Sequence, residues 1–380
     1  MSTLTTTDSG PGTGRAPRRR RGVGQRQSVA GWLFITPALL GLGIFLIIPI
    51  LMALWVSFTD WNGRGSPFSS QVSLVGAENY AALLTEPGLS RQDFMISLRN
   101  TFYYVIGVVP LQTVTALVLA VIVNQKFLRG RTFFRTAFYF PSVVSSVAIS
   151  LVFLFLFTST GAVNQFLAVF GIDGPVWFSD PRGLIHLVGD WLGLWTVGSP
   201  PAALADTQVM SLSLWEWFSG PSVALTAIMA QVIWTTAGTF MLMFLAGLQD
   251  LPTEVEEAAM VDGANRWQRF RNVTVPHLRP TILLVVTLGI IGTWQVFDQM
   301  YVMTQGGPAK TTLTPAFLSY TAAFRQNQWG QGAAMAFLLF LIIFVLTSLQ
   351  RFVLRDKDEA ATRRAQRRQQ RAARRKGVTA

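Results

Sequence analysis

The sequence predicts an all-α polytopic membrane protein with six transmembrane helices. Three observations carry that reading. The 380 residues are 51% hydrophobic and only 13% charged, with a mean hydropathy of +0.40; a soluble domain carries about 25% charged residues. Apolar runs of spanning length, roughly 20 residues, recur along the chain. Basic residues concentrate in alternate connections between those runs.

The runs are 32–58, 97–123, 133–157, 222–248, 281–303 and 332–354. Ahead of the first, residues 1–28 are Ser/Thr/Gly-rich and then basic (Arg15, Arg18, Arg19, Arg20, Arg21, Arg26), a composition that predicts a disordered cytoplasmic tail. Run 32–58 is longer than the apolar core of a signal peptide, and no small-x-small cleavage site follows it. It reads as an uncleaved first span. Pro37, Pro49, Pro110 and Pro141 lie in or near the runs and imply kinks or half-helices, whose freed carbonyls must find partners in protein or water. In the long connection 158–221, the stretch 184–197 sets Trp191 and Trp195 at i,i+4. It predicts an interfacial helix with its tryptophans at headgroup depth. The membrane domain is thus placed at 29–355, with a second basic tail at 356–380.

Charge predicts the orientation. Of 31 Lys and Arg, only Arg64, Arg91, Arg99, Arg182, Lys310 and Arg325 fall in one set of alternating segments. The rest lie in the amino-terminal tail, the connection holding Lys126, Arg129, Arg131 and Arg135, the connection 253–280, and the end of the chain. By the positive-inside rule those segments, and both termini, face the cytoplasm. A net charge of +12 and a pI of 10.9 therefore need no nucleic acid: the carboxy-terminal basic run is expected to meet anionic membrane lipid headgroups or to be a solvated tail.

Other chemistries are excluded by residue type. There is no cysteine, and His186 and His277 are the only histidines, so thiolate and histidine-built metal sites are out. No G-x-x-x-x-G-K-[ST] occurs to cradle nucleotide phosphates. No His, Asp, Glu or Cys cluster at one face suggests a membrane enzyme. Carboxylates deep in the spans, which an ion-coupled secondary transporter would favour, are nearly absent.

The polar connection 253–280 interrupts this pattern most informatively. Thr253 and Glu256 have the T-x-x-E spacing of a capping box, predicting a short helix. Gly263 stands where such a helix would stop, since glycine takes positive φ without a Cβ penalty. A second helical run, 265–273, carries Trp267, Arg269, Phe270 and Arg271, and Pro276 and Pro280 punctuate the entry to the next span. Helix, glycine turn and helix on a membrane face make a docking knob. A plain solvated loop, its acids balancing nearby arginines, is the competing reading.

Glu257-Ala258-Ala259, three residues, Gly263, nine residues and Val273-x-Val275-Pro276 resemble the EAA loop of ABC importer permeases, with valine where that family often has isoleucine and leucine. Gly247-Leu248-Gln249-Asp250-Leu251-Pro252 and the segment 297–308 resemble the carbohydrate branch of the family. The resemblance covers roughly 32–355 and implies the type I importer permease fold. It also implies that this chain binds no cofactor, ATP being used by two separate cytoplasmic ATPase subunits. The further implied partners are a second, different permease and an extracytoplasmic solute-binding protein. Glu257, Ala258, Ala259, Gly263 and Pro276 would couple to the ATPases. For the solute path the residues suggest Gln231, Trp234, Trp294, Gln295, Asp298 and Tyr301, because amides and a carboxylate can bond sugar hydroxyls while aromatic faces take the ring. Interhelical bonding is the alternative for each. A phosphorylated polyol or another polar solute remains an alternative cargo.

Overall fold

The structure, a computed structural model, describes residues 23–125, 128–196 and 198–354. Lys126, the 356–380 tail and all but the end of the 1–28 tail lie outside the described residues. All six apolar runs are helical. Four are single helices long and apolar enough to cross a bilayer: Gly31–Val56, Leu89–Asn124, Val223–Gln249 and Trp329–Phe352. The other two are bent pairs, Arg131–Val143 with Ser146–Leu156 at 97° and Arg266–His277 with Arg279–Trp294 at 67°. The third span, expected as a single run, is therefore broken, whereas the 67° bend of the second pair falls at Leu278, ahead of the expected run 281–303.

The chain divides into two compact units between Ala53 and Leu54. In the first, helix Val23–Leu42 continues through a π turn, Gly43–Ile47. The Ile48 N–H there bonds the Gly43 carbonyl. That wider turn immediately precedes Pro49, whose ring would clash with a regular helical carbonyl. Pro37 and Pro110 sit inside uninterrupted helices, so they do not mark the half-helices expected of them. The break in the third span falls after Pro141, at Val144 and Ser145, both extended (ψ 144° and 132°). A β-branched pair followed by two serines favours that local exit from the helix.

In the second unit, the second span (Leu89–Asn124) and the fourth (Val223–Gln249) form the centre. Toward the Leu89 end of the second span and the Val223 end of the fourth, Phe94, Tyr104, Leu225, Ile228, Met300 and Phe317 share one buried cluster. Toward their opposite ends Ala116, Ala120, Phe244, Leu278 and Val285 share another. Ala116 and Ala120 are small residues four apart, which lets helix backbones approach where lipid supplies no hydrophobic drive. Gly238 does the same for the third span: a Cβ there would stand 2.1 Å from the Phe138 carbonyl oxygen.

The fifth-span helix ends at Trp294, with Gln295 (φ −94°, ψ 11°) closing it, and Met300–Thr304 is a separate π turn. Run 281–303 is thus not one helix, and Asp298 and Tyr301 lie beyond the break.

The connection 158–221 is built, not loose. It contains helices Ala162–Val169, Leu184–Trp191 and Leu214–Trp217, and a hairpin pairing Gln208–Val209 with Leu212–Ser213. His186 stacks on Trp215 at 3.8 Å between ring centroids, and its Nε2 lies 3.1 Å from the Trp215 carbonyl. Burial, reinforced by the Arg99 charge, holds His186 below its ordinary pKa against the opposing pull of that carbonyl. Arg99, on the second span, donates to the Glu216 carbonyl at 3.2 Å. The expected helix 184–197 stops at Trp191, and Trp195 folds back over Gly189, where a Cβ would meet its ring at 2.2 Å. Trp195 donates to the His186 carbonyl at 3.2 Å, so it packs inside this connection and does not pair with Trp191 as an anchor.

Candidate functional site: a docking loop and a membrane cleft

The loop after the fourth span folds as two helices around Gly263. The first is Thr253–Val261, with Pro252 at its N-cap and no side-chain capping bond. The Thr253/Glu256 capping box expected there is absent because Thr253 is already helical. Glu254 and Glu256 in the first turn instead complement the helix dipole. The capping box belongs to the second helix: Asn265 Oδ1 accepts from Gln268 N, and Gln268 Oε1 accepts from Asn265 N, both at 2.8 Å. That helix runs on to His277, past the expected 265–273, through a π turn at Phe270–Thr274. Leu278 (φ −78°, ψ −2°) then bends the chain into the fifth span, with Pro280 in its first turn.

Between the helices, Gly263 sits at φ +77°. Its N–H bonds the Met260 carbonyl and the Ala264 N–H bonds the Ala259 carbonyl, both at 3.0 Å. These are the two bonds of a Schellman motif. A Cβ on Gly263 would meet nothing within 4 Å, so backbone conformation alone asks for glycine. Helix Thr253–Val261 buries no residue. Val255, Met260, Val261 (88% exposed) and Trp267 (65%) present an uncovered apolar surface. Glu257 and Ala258 are exposed, Ala259 is half-buried, and Glu257 makes no hydrogen bond or ion pair among the described residues. Pro276 is exposed at the far end of the loop.

A cleft of about 270 Å³ opens among the second, fourth and fifth spans and the break after Trp294. Tyr104, Gln112, Thr236 and Thr293 line it from the helices, and Gln295, Asp298 and Gln299 line it from the break. The break sets their direction: with the helix ended, residues 295–299 point back across the bundle. Asp298 Oδ2 accepts from Ser146 Oγ, which begins the second half of the broken third span. Gln112 Oε1 accepts from Thr236 Oγ1 at 2.8 Å, while its Nε2 and the Tyr104 hydroxyl are buried without partners.

Of the expected path residues, the cleft gathers Gln295 and Asp298. Gln231 is buried toward the third span, donating to Ser150 Oγ at 3.0 Å, with its Oε1 unpartnered. Trp234 is 52% exposed, beside Phe153. Trp294 is buried with Leu339 and Ile343 of the sixth span. Tyr301 lies in an aromatic cluster beyond the break. Sequence reasoning passed over Gln112 and Thr236. Gln112 was findable as a lone amide two residues after Pro110 in an apolar run.

The profile of the family described as "Binding-protein-dependent transport system inner membrane component" matches residues 112–358. The lactose transport system permease protein LacF of Rhizobium radiobacter is 30% identical over 345 residues, 90% of this chain and 99% of LacF. The arabinooligosaccharides transport system permease protein AraP of Halalkalibacterium halodurans is 30% identical over 330 residues, covering 86% and 88%. Among solved structures, a bacterial alginate ABC transporter in complex with alginate pentasaccharide-bound periplasmic protein aligns at TM-score 0.65 and 19% identity, over 89% of this chain and 98% of that one. The last likeness is one of fold. With the family profile and LacF covering most of the chain, the protein belongs to the binding-protein-dependent transport system inner membrane components, a transport component of the ABC importer permease type and not itself an enzyme.

Proposed function

We propose that the chain is one permease subunit of an ATP-driven importer that moves a sugar across the cytoplasmic membrane. Its partners are a second, different permease, two cytoplasmic ATPase subunits and an extracytoplasmic binding protein, with both termini cytoplasmic. ATP is bound by the ATPases and no cofactor by this chain. The single observation that carries the reading is the free-standing helix Thr253–Val261, capped at Gly263 and uncovered on its apolar side. A monomer leaves that much apolar surface open on a polar loop where a partner is to cover it. Glu257 offers an unpaired carboxylate to a basic rim, and Ala258 and Ala259 permit close approach. The sugar assignment is supported by the named cargo of the relatives and by the amide, hydroxyl and carboxylate lining of the cleft. Gln295 and Asp298, which line the cleft, are the candidates for solute contact there, and Gln231 sits about one helix turn from Thr235 on the same span. Reconstitution of the permease pair with its ATPases and binding protein in liposomes tests this. Radiolabelled sugar uptake should require internal ATP and both ATPases. Uptake driven by an ion gradient with the ATPases left out would refute it.

A further inference from the structure

Aromatic rings run in contact from the cleft toward the surface. Phe297, a cleft-lining residue, lies 5.5 Å from Tyr301 and 5.2 Å from Tyr320, centroid to centroid. Tyr320 is followed by Phe324 at 5.1 Å, Trp329 at 4.6 Å and Trp61 at 5.3 Å. These rings come from the post-break segment, the connection between the fifth and sixth spans, the start of the sixth span and the first connection. Phe324 and Tyr301 are exposed, and the others are half-buried. Polar heads are interleaved: the Arg325 guanidinium lies 5.7 Å over the Tyr301 ring and donates to Gln305 Oε1 at 3.5 Å.

We infer that this run is a binding track for a linear oligosaccharide whose leading unit occupies the cleft. The inference rests on the sugar reading above and extends it to chain length. The cleft, at about 270 Å³, lies just below the roughly 300–1,000 Å³ typical of ligand pockets. A chain of several sugar rings does not fit inside it, and the trailing units must lie on the adjoining surface. That surface is the aromatic run, joined to the cleft through Phe297. Flat ring faces take the apolar faces of sugars without fixing one hydroxyl pattern, while the tyrosine hydroxyls, Gln305 and Arg325 supply bonds along the edges. Exposed aromatic residues occur elsewhere on the bundle, and a second ring run joins Trp234, Phe153, Phe157 and Trp177; the line described here differs from that one in starting at a cleft-lining ring, Phe297.

The test uses the complete importer in liposomes and ladders of malto-, xylo- and arabino-oligosaccharides of one to five units. Phe324→Ala should lower kcat/KM for the five-unit sugar about tenfold relative to the one-unit sugar of the same ladder. In this cysteine-free chain, Phe324→Cys alkylation should slow in the presence of the pentasaccharide and not of the monosaccharide. An equal effect on all lengths, no effect on any, no protection, or a wild type that moves monosaccharides alone overturns the track while leaving the sugar reading standing. A wild type that moves no member of any ladder overturns the track, while the sugar reading is decided separately by the ATP-dependent uptake assay above.

Discussion

Replacing Gly263 isolates the geometry of the docking loop. Its φ of +77° lies in the left-handed region, and a Cβ would touch nothing within 4 Å. The cost of Gly263→Ala is therefore the intrinsic left-handed penalty, about 1–2 kcal/mol. If the backbone flips to escape it, the chain loses the Gly263 and Ala264 Schellman bonds, each contributing about 0.5–1.5 kcal/mol. Either route leaves the exposed helix Thr253–Val261 misdirected at its end without disturbing the buried spans. A shift of 1–2 kcal/mol lowers the population of the docking geometry about 5–30-fold. Titrating purified ATPase subunits onto the reconstituted permease pair should show Gly263→Ala needing about that much more ATPase for half-maximal uptake. Gly263→Val should be worse and Gly263→Asn milder, because asparagine tolerates the left-handed region. Membrane insertion and thermal unfolding of the spans should not move. Uptake for Gly263→Val equal to wild type at limiting ATPase, or Asn more damaging than Ala, would refute the argument.

Three further outcomes follow from the same geometry. Asn265→Ala removes the second helix's capping box and should cost about 1 kcal/mol, read as faster amide exchange at 266–269 with the spans unchanged. Gln231→Leu removes one interhelical bond, a kind that averages about 0.6 kcal/mol in membranes, and Ser150 Oγ keeps its bond to the Ser146 carbonyl. Thermal unfolding in detergent should therefore barely change while uptake falls, and unchanged uptake would assign Gln231 to packing alone. His186 is held below the ordinary histidine pKa of about 6.5, by burial first. The unfolded connection thus binds the proton more readily, and the stability contributed is complete above pH 6.5 and lost progressively as pH falls below it. Tryptophan fluorescence of the stacked Trp215 should report that acid loosening, and His186→Asn should abolish its pH dependence.

The spans were legible because lipid imposes length and apolarity on anything that crosses it: four of the six runs recur as single helices, while the third is split and the fifth stops at Trp294. The breaks were only partly legible: Pro141 was a sign of the one in the third span, and nothing marked the one after Trp294. Proline was the sign relied on, yet Pro110 lies in an unbroken helix of 36 residues, and the third span breaks after Pro141, at Val144 and Ser145. Whether a proline bends a helix depends on what its neighbours do with the freed carbonyl, and that is tertiary information. The capping box failed for a related reason: Thr253 and Asn265 both head a plausible x-x-Glu/Gln spacing, and only the backbone angle at each decides which is the cap. Gln295 and Asp298 reached the cleft because a helix break turned them toward it. Trp294, one residue earlier, remains on the helix and is buried against the sixth span.

The two breaks that matter most are joined by a single rigid piece. Helix Arg279–Trp294 runs from the 67° bend at the docking loop to the turn at Gln295. Its 16 residues make a rod about 24 Å long at 1.5 Å per residue. Broken backbone within a membrane persists where its polar groups face protein or a water-filled cavity, and the break at the rod's Trp294 end is met by another, since Asp298 accepts from Ser146 at the start of the third span's second half. At the Arg279 end Leu278 is fully buried in the core shared with Phe244 and Val285, so the bend cannot slacken without disturbing that packing. Along its side Thr287 donates to Gln350 of the sixth span at 3.1 Å. Under the proposed coupling, a push on the loop would therefore be delivered to the rod as a whole, whose far end lies at the wall of the cleft. Neither a flexible loop nor a cleft lined only by mid-helix residues would carry displacement that way.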